Sequence, residues 1–183
     1  WLVAEKILEP GEELPRTWPI DGTTGYDFLF AVTGVLVATE HEPEMTRLYR
    51  ELSGDDTEDF HALVRATKRQ VLEELLGADL YRLARTFHGV CTLHRRHRDF
   101  TLQDLRDAIK QVLACLPVYR TYVRAGSQAS EADEQVVADA IRQAKLDRPT
   151  LDVELLSFLR EILTGRLEGE TEWDLAARFQ QLS

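Results

Sequence analysis

Cysteine, positive charge and long apolar runs are all scarce in this chain, and each shortage excludes a class of protein. Of 183 residues only Cys91 and Cys115 carry thiols, too few for the disulfide framework that staples small secreted domains. No apolar run is long enough to span a bilayer and no signal peptide opens the chain, so a cytoplasmic protein without a membrane partner is expected. Lys+Arg of 22 against Asp+Glu of 32 leaves a formal net charge of -10, which repels a phosphate backbone and argues against nucleic acid as a partner. A neutral ligand remains compatible. There is no initiator Met, no internal repeat and no low-complexity tract. The chain opens inside a strand-like run, so a section of a larger protein is expected.

What the chain does have is helical periodicity. Pro43 to Leu52 places Met45, Leu48, Tyr49 and Leu52 at helical spacing and stops at Ser53-Gly54. Thr57 or a neighbouring Asp opens the next pattern, with a stripe through Phe60, Leu63, Val64, Val71, Leu72, Leu75 and Leu76 that Gly77 breaks. Leu80, Leu83, Ala84, Phe87 and Val90 follow. Thr101-Leu-Gln-Asp104 is a capping box with Asp in place of Glu, ahead of Leu102, Leu105, Ile109, Val112 and Leu113. Later helices are expected over Ser130 to Leu146, Thr150 to Leu163 and, capped by Thr171, to Leu182. Only Trp1 to Ile7 and Pro117 to Val123 read as strands, being rich in aromatic and β-branched residues.

Three groups of residues are chemically suggestive. Glu5 ends an apolar run ahead of a Pro/Gly-rich loop, as a catalytic carboxylate does at the carboxyl end of a barrel strand, and partial desolvation is expected there. Lys6 should point to the opposite side. The loop Asp21-Gly-Thr-Thr-Gly-Tyr-Asp27 offers carboxylates, hydroxyls and an aromatic ring, able to bond sugar hydroxyls and stack on a pyranose; the plainer reading is an Asx-type turn over buried Tyr26 and Phe28. Strand alternation puts Arg120 and Tyr122 on one face and Tyr119 on the other, with at least one tyrosine packed structurally. His88, Cys91, His94 and His97 recur every three residues, but Arg95, Arg96 and Arg98 would repel a cation. No metal is expected, and Cys91 reads as a small buried filler. Asp55, Asp56, Glu58 and Asp59 read as a solvated helix start.

The strings Val3-Ala-Glu-Lys-Ile-Leu8 and Trp18-Pro-Ile-Asp-Gly-Thr-Thr-Gly-Tyr-Asp-Phe-Leu29, then Pro117-Val-Tyr-Arg-Thr-Tyr122 and Arg178-Phe-Gln-Gln181, resemble the maltooligosyl trehalose synthase family of the α-amylase superfamily. The resemblance implies a mainly α section of a (β/α)8 barrel enzyme: a helical insertion subdomain flanked by two barrel strands. Residues 1–34 would be a barrel strand and active-site loop, 35–98 the insertion, and 99–183 a barrel helix, a strand and the following helices. The spacing from residue 8 to 116 far exceeds the about 31 residues of an average barrel unit, and the insertion would wall the substrate cleft.

By the same resemblance Glu5 is the general acid/base of a retaining mechanism. Lys6, Asp21, Thr24, Tyr26, Asp27, Tyr119, Arg120 and Tyr122 are candidate substrate contacts. The nucleophile and a transition-state-stabilising aspartate lie outside these residues. The substrate would be a maltooligosaccharide or other α-glucan, the partner the remainder of the barrel, and no cofactor is needed. Phe30 departs from the Asn that the family commonly has. An α-glucan hydrolase of the same superfamily and a non-catalytic helical interaction module remain as other readings.

Overall fold

The structure, a computed structural model, describes residues 1–9, 11–54 and 59–183. It divides into two compact units, Trp1–Glu58 and Asp59–Ser183.

In the first unit the strand-like opening shortens to β1 (Val3–Ala4), which pairs in parallel with β2 (Gly22–Thr23) in the register Val3↔Gly22 and Ala4↔Thr23. Asp21 N donates to Leu2 O at 2.7 Å and Thr24 N to Ala4 O at 3.1 Å, extending the pairing at both ends. The ladder stops there because Lys6 N turns back to Ala4 O at 3.0 Å, which no continuing strand allows. Gly25, at φ 107°, then admits the left-handed step that starts α1 (Tyr26–Gly34). A helix forms here where the sequence points to an active-site loop. A 3₁₀ turn (Thr39–His41) leads into α2 (Glu42–Ser53), with a proline in its first turn and Gly54 at φ 69° as its left-handed cap. Neither α1 nor α2 contains a buried residue.

The second unit is helical: α3 (Phe60–Glu74), α4 (Gly77–Leu93), α5 (Leu102–Cys115), α6 (Glu131–Asp147), α7 (Val153–Leu163) and α8 (Glu170–Leu182). Helix α5 packs on α3, α4 and α6, and α8 packs on α4 and α7. The expected stripe of α4 is buried in full, and so are Leu105, Ile109, Val112 and Leu113 of α5. Asp152 and Ser130 cap α7 and α6 through side-chain bonds to Leu155 N and Asp133 N. The capping box of α5 forms in both directions: Asp104 N donates to Thr101 Oγ1 at 3.2 Å and Thr101 N to Asp104 Oδ2 at 3.0 Å. Helix α3 opens on Asp59, which accepts from Ala62 N. Thr57, Asp55, Asp56 and Glu58 lie outside the described residues.

Three elements differ from what the sequence leads one to expect. Pro117 to Val123 forms no strand, because no neighbouring segment offers it a ladder and Tyr122 adopts φ 59°, incompatible with extended pairing. Helix α8 is capped by Gly169 without a side-chain bond, while Thr171 Oγ1 donates instead to Glu172 Oε2 at 2.7 Å. The third concerns α3, whose apolar stripe buries only Leu72; Phe60, Leu63, Val71 and Leu75 are exposed. It docks by its cationic face. Arg65 and Arg69 reach Asp147 of α6 at 3.0 and 3.1 Å, and Lys68 Nζ donates to Leu116 O at 2.9 Å. Asp147 is held below its ordinary pKa because hydrogen bonds from Gln143, Arg69 and Arg65 outweigh the opposing effect of burial.

Candidate functional site

Glu5 follows β1 directly, with its carboxylate exposed, and the Tyr26 hydroxyl donates to its Oε1 at 3.4 Å. The Glu5 side chain is exposed rather than partly covered in this structure. Lys6 does point the other way. It is 5% exposed, with Nζ donating to Glu12 Oε2 at 2.7 Å and to Ile7 O at 3.0 Å. A buried ammonium needs such a partner, and Glu12, which also accepts from Glu9 N at 3.0 Å, supplies it from the Pro/Gly-rich loop. Glu12 is a residue that the motifs did not single out.

The loop candidates hold one another. Asp21 accepts from Leu2 N at 2.7 Å, fixing the start of the strand pair. Thr23 donates to Asp27 and accepts from Gly25 N at 3.1 Å. The Thr23 bond, with backbone bonds at the start of α1, holds the Asp27 carboxyl below its ordinary value. Thr24 adds its backbone bond to Ala4 O and keeps its side chain exposed. The plainer turn reading fails in one respect, because Tyr26 and Phe28 are exposed rather than packed beneath the loop. Of these candidates only Glu5 and Tyr26 touch through their side chains; Asp21 sits at the Leu2 end of the β1/β2 pair, and Thr24 and Asp27 follow β2.

Tyr119, Arg120 and Tyr122 belong to the second unit. Without a strand there is no alternation to separate them: the Arg120 guanidinium lies 4.4 Å from the Tyr119 ring centre and 5.8 Å from that of Tyr122. It also donates to the Tyr119 hydroxyl at 2.8 Å, while its Nε is shielded and makes no hydrogen bond. Tyr119 is exposed, so structural packing does not consume it. The turn is tied to α8 by Gln180 Nε2, which donates to Val123 O at 2.9 Å, and by Ser183 Oγ, which donates to Tyr119 O at 2.8 Å. No short-range pattern announces those two ties.

The histidine run serves packing. The His97 ring stacks on Phe158 at 3.8 Å and His94 meets the same ring edge-on at 4.9 Å. His94 Nε2 is 2.7 Å from Glu172 Oε1. Cys91 is buried and burial pushes its thiol up to about 12. Among the described residues no group of three or more His, Cys, Asp or Glu side chains could hold a metal ion, and no helix is long and apolar enough to cross a membrane.

Comparison with known proteins gives one consistent neighbour. A Mycobacterium tuberculosis protein provisionally named a maltooligosyl trehalose synthase, found in two strains, is 40% identical over 85 residues, 46% of this chain and 11% of that protein. The solved maltooligosyltrehalose synthase of Arthrobacter ramosus aligns with a TM-score of 0.75 and 30% identity over 98% of this chain and 20% of its own. A point mutant of that enzyme aligns with a TM-score of 0.76. No protein-family model matches. In sequence and in structure the chain is similar to part of these synthases, and it spans about a tenth of the curated relatives' length.

Proposed function

We propose that this chain is a section of a maltooligosyl trehalose synthase and that it supplies the general acid/base, Glu5. The reaction breaks the α-1,4 bond at the reducing end of a maltooligosaccharide and returns the freed glucose through its anomeric hydroxyl, giving an α,α-1,1 bond. In the first half Glu5 protonates the departing glycosidic oxygen while a carboxylate from elsewhere in the enzyme bonds to the anomeric carbon. In the second half the glucose hydroxyl attacks that carbon, the carboxylate leaves, and Glu5 takes the hydroxyl proton.

The observation that carries this reading is the contrast between the two neighbours that follow β1. Glu5 is displayed with a single tyrosine hydroxyl upon it, and the adjacent cation is buried and neutralised by Glu12. Lys6 in that arrangement shapes the loop below Glu5 rather than touching a sugar. Asp21, Thr24, Tyr26 and Asp27 offer the rim that sugar hydroxyls would meet, and Tyr119, Arg120 and Tyr122 an aromatic and cationic turn suited to a pyranose. Two buried, unpaired cysteines suit a reducing cytoplasm.

The remainder of the barrel would be the partner surface. Phe28, Phe30, Val35 and Leu36 are exposed in a stretch more apolar than free solvent normally faces. The 183-residue chain alone is expected to turn over no maltopentaose, since an acid without its nucleophile forms no glycosyl-enzyme.

The test is product analysis on the complete enzyme with maltopentaose. A non-reducing glucan ending in an α,α-1,1 linkage supports the reading. Free glucose as the main product would assign an α-glucan hydrolase instead, and no turnover by the product of the complete reading frame would leave an interaction module.

A further inference from the structure

We infer that Gln180 is a positioning residue, which fixes the Tyr119-Arg120-Thr121-Tyr122 turn as a rigid sugar-contacting edge; the inference rests on the function proposed above. The turn needs an external constraint. Tyr122 sits at φ 59°, a region where an aromatic residue stays only when its surroundings impose it. The constraint comes from the last turns of α8. Gln180 is 8% exposed, and its amide donates to Val123 O at 2.9 Å and to Ala176 O at 3.4 Å, one bond outward and one into its own helix. Ser183 Oγ shares its proton between Tyr119 O at 2.8 Å and Gln180 O at 3.0 Å.

The carbonyls of residues 119 and 123, one on each side of Tyr122, are therefore held by the same helix end. Between them Arg120 is left with its guanidinium against both tyrosine rings. Fixing that geometry before binding spares the ligand the cost of ordering a long, flexible arginine and an irregular backbone. Helix α8 is itself anchored by Leu175, Ala176 and Phe179, all buried on the face toward α4 and α7. Helix α8 thus adds two backbone ties to a turn whose own contacts are between Arg120 and the tyrosines.

Gln180 touches neither sugar nor reacting atoms in this scheme, so its loss should weaken binding without slowing chemistry. In the complete enzyme Gln180→Met keeps length and burial but removes the donor. The KM for maltopentaose should rise about three- to tenfold, the effect of one typical net hydrogen bond, with kcat per active site kept within about twofold. In an Arg120→Ala background the same substitution should add less than about twofold, because both act through one turn.

An unchanged KM, or an equal effect in the Arg120→Ala background, overturns the inference. A purely structural role would lower Tm and the yield of active enzyme without moving KM. If Gln180→Met does not fold, Ser183→Ala carries the test, since it disturbs no core residue: a raised KM with kcat kept supports the inference and an unchanged KM overturns it. A wild-type enzyme that makes no α,α-1,1 product defeats the functional reading. One that makes it while Gln180→Met and Ser183→Ala leave KM untouched defeats this inference alone.

Discussion

Phe28, Phe30 and Leu36 in the first unit are 71%, 79% and 86% exposed, whereas Phe87, Phe158 and Leu159 in the second are 0%, 2% and 0% exposed. The two regions draw on the same kinds of side chain. In the second, six helices close around those residues and make a core whose described members run from Leu72 to Phe179. In the first, α1 and α2 bury nothing, and the order that exists comes from the β1/β2 pair, the Lys6–Glu12 ion pair and the bonded loop 21–27. Hydropathy states that a residue is better covered, and says nothing of which surface covers it. Unit Trp1–Glu58 holds the candidate acid and exposes its large apolar side chains, whereas unit Asp59–Ser183 buries its own.

Removing an aromatic ring from each unit should have very different costs. Phe158→Ala deletes a ring that stacks on His97 and on Phe87 at 5.9 Å, and should destabilise the second unit by about 3–5 kcal/mol, read as a drop in urea midpoint followed by far-UV dichroism. Next in size is Gly165→Ala. Gly165 sits at φ 70°, and an added Cβ would lie 2.4 Å from Ser127 O and 2.9 Å from the Trp173 ring; a loss above about 1 kcal/mol is expected in the same assay. At the other extreme Phe30→Ser should change stability by less than about 0.5 kcal/mol. A large loss from Phe30→Ser would show that the first unit has a core after all.

Acid should weaken the second unit in steps. Burial pushes His97 below its ordinary 6.5, with Glu154 opposing and His94 adding to the shift. The unfolded state then takes up the proton first, so stability is full above about pH 6.5 and falls as the pH drops toward the lower folded value. Glu172 lies below its ordinary 4.5: burial alone would raise it, but hydrogen bonds from His94 and Thr171 prevail. Its contribution is present above about pH 4.5 and is lost as pH falls through its folded value. Urea midpoints of the second unit should therefore decline in two stages on acidification, and His97→Leu should remove the upper one. A midpoint flat from about pH 7.5 to 5 in the wild type would contradict this.

How far the sequence carried these conclusions depended on whether the governing interaction was local. The capping box Thr101/Asp104, the stop at Gly54 and the buried stripe of α4 were legible because propensity, cap and periodicity lie within a few residues of one another. Helix α3 shows where that reasoning fails. Its stripe has the right period, yet Arg65, Lys68 and Arg69 find Asp147 and Leu116 O across the core, and those distant partners turn the helix round. Pro117 to Val123 has strand composition but no ladder, and its true ties, Gln180 and Ser183, lie some sixty residues on. Of the site, Glu5 and the loop 21–27 were legible as motifs, whereas Glu12 was not, because only burial of Lys6 creates the need for it.

The most direct test of the account is Glu5→Gln in the complete enzyme, with α,α-1,1 product formed from maltopentaose measured per active site. Gln keeps the shape and the bond from Tyr26 but carries no titratable proton. A fall in kcat of about 10²–10⁴-fold is expected, the usual scale for loss of a general acid/base, with KM little changed. A substrate with a fluoride leaving group should recover the first half-reaction and not the transfer to glucose. Near-normal formation of the α,α-1,1 product by Glu5→Gln would contradict the account and leave Glu5 an ordinary charge on the rim.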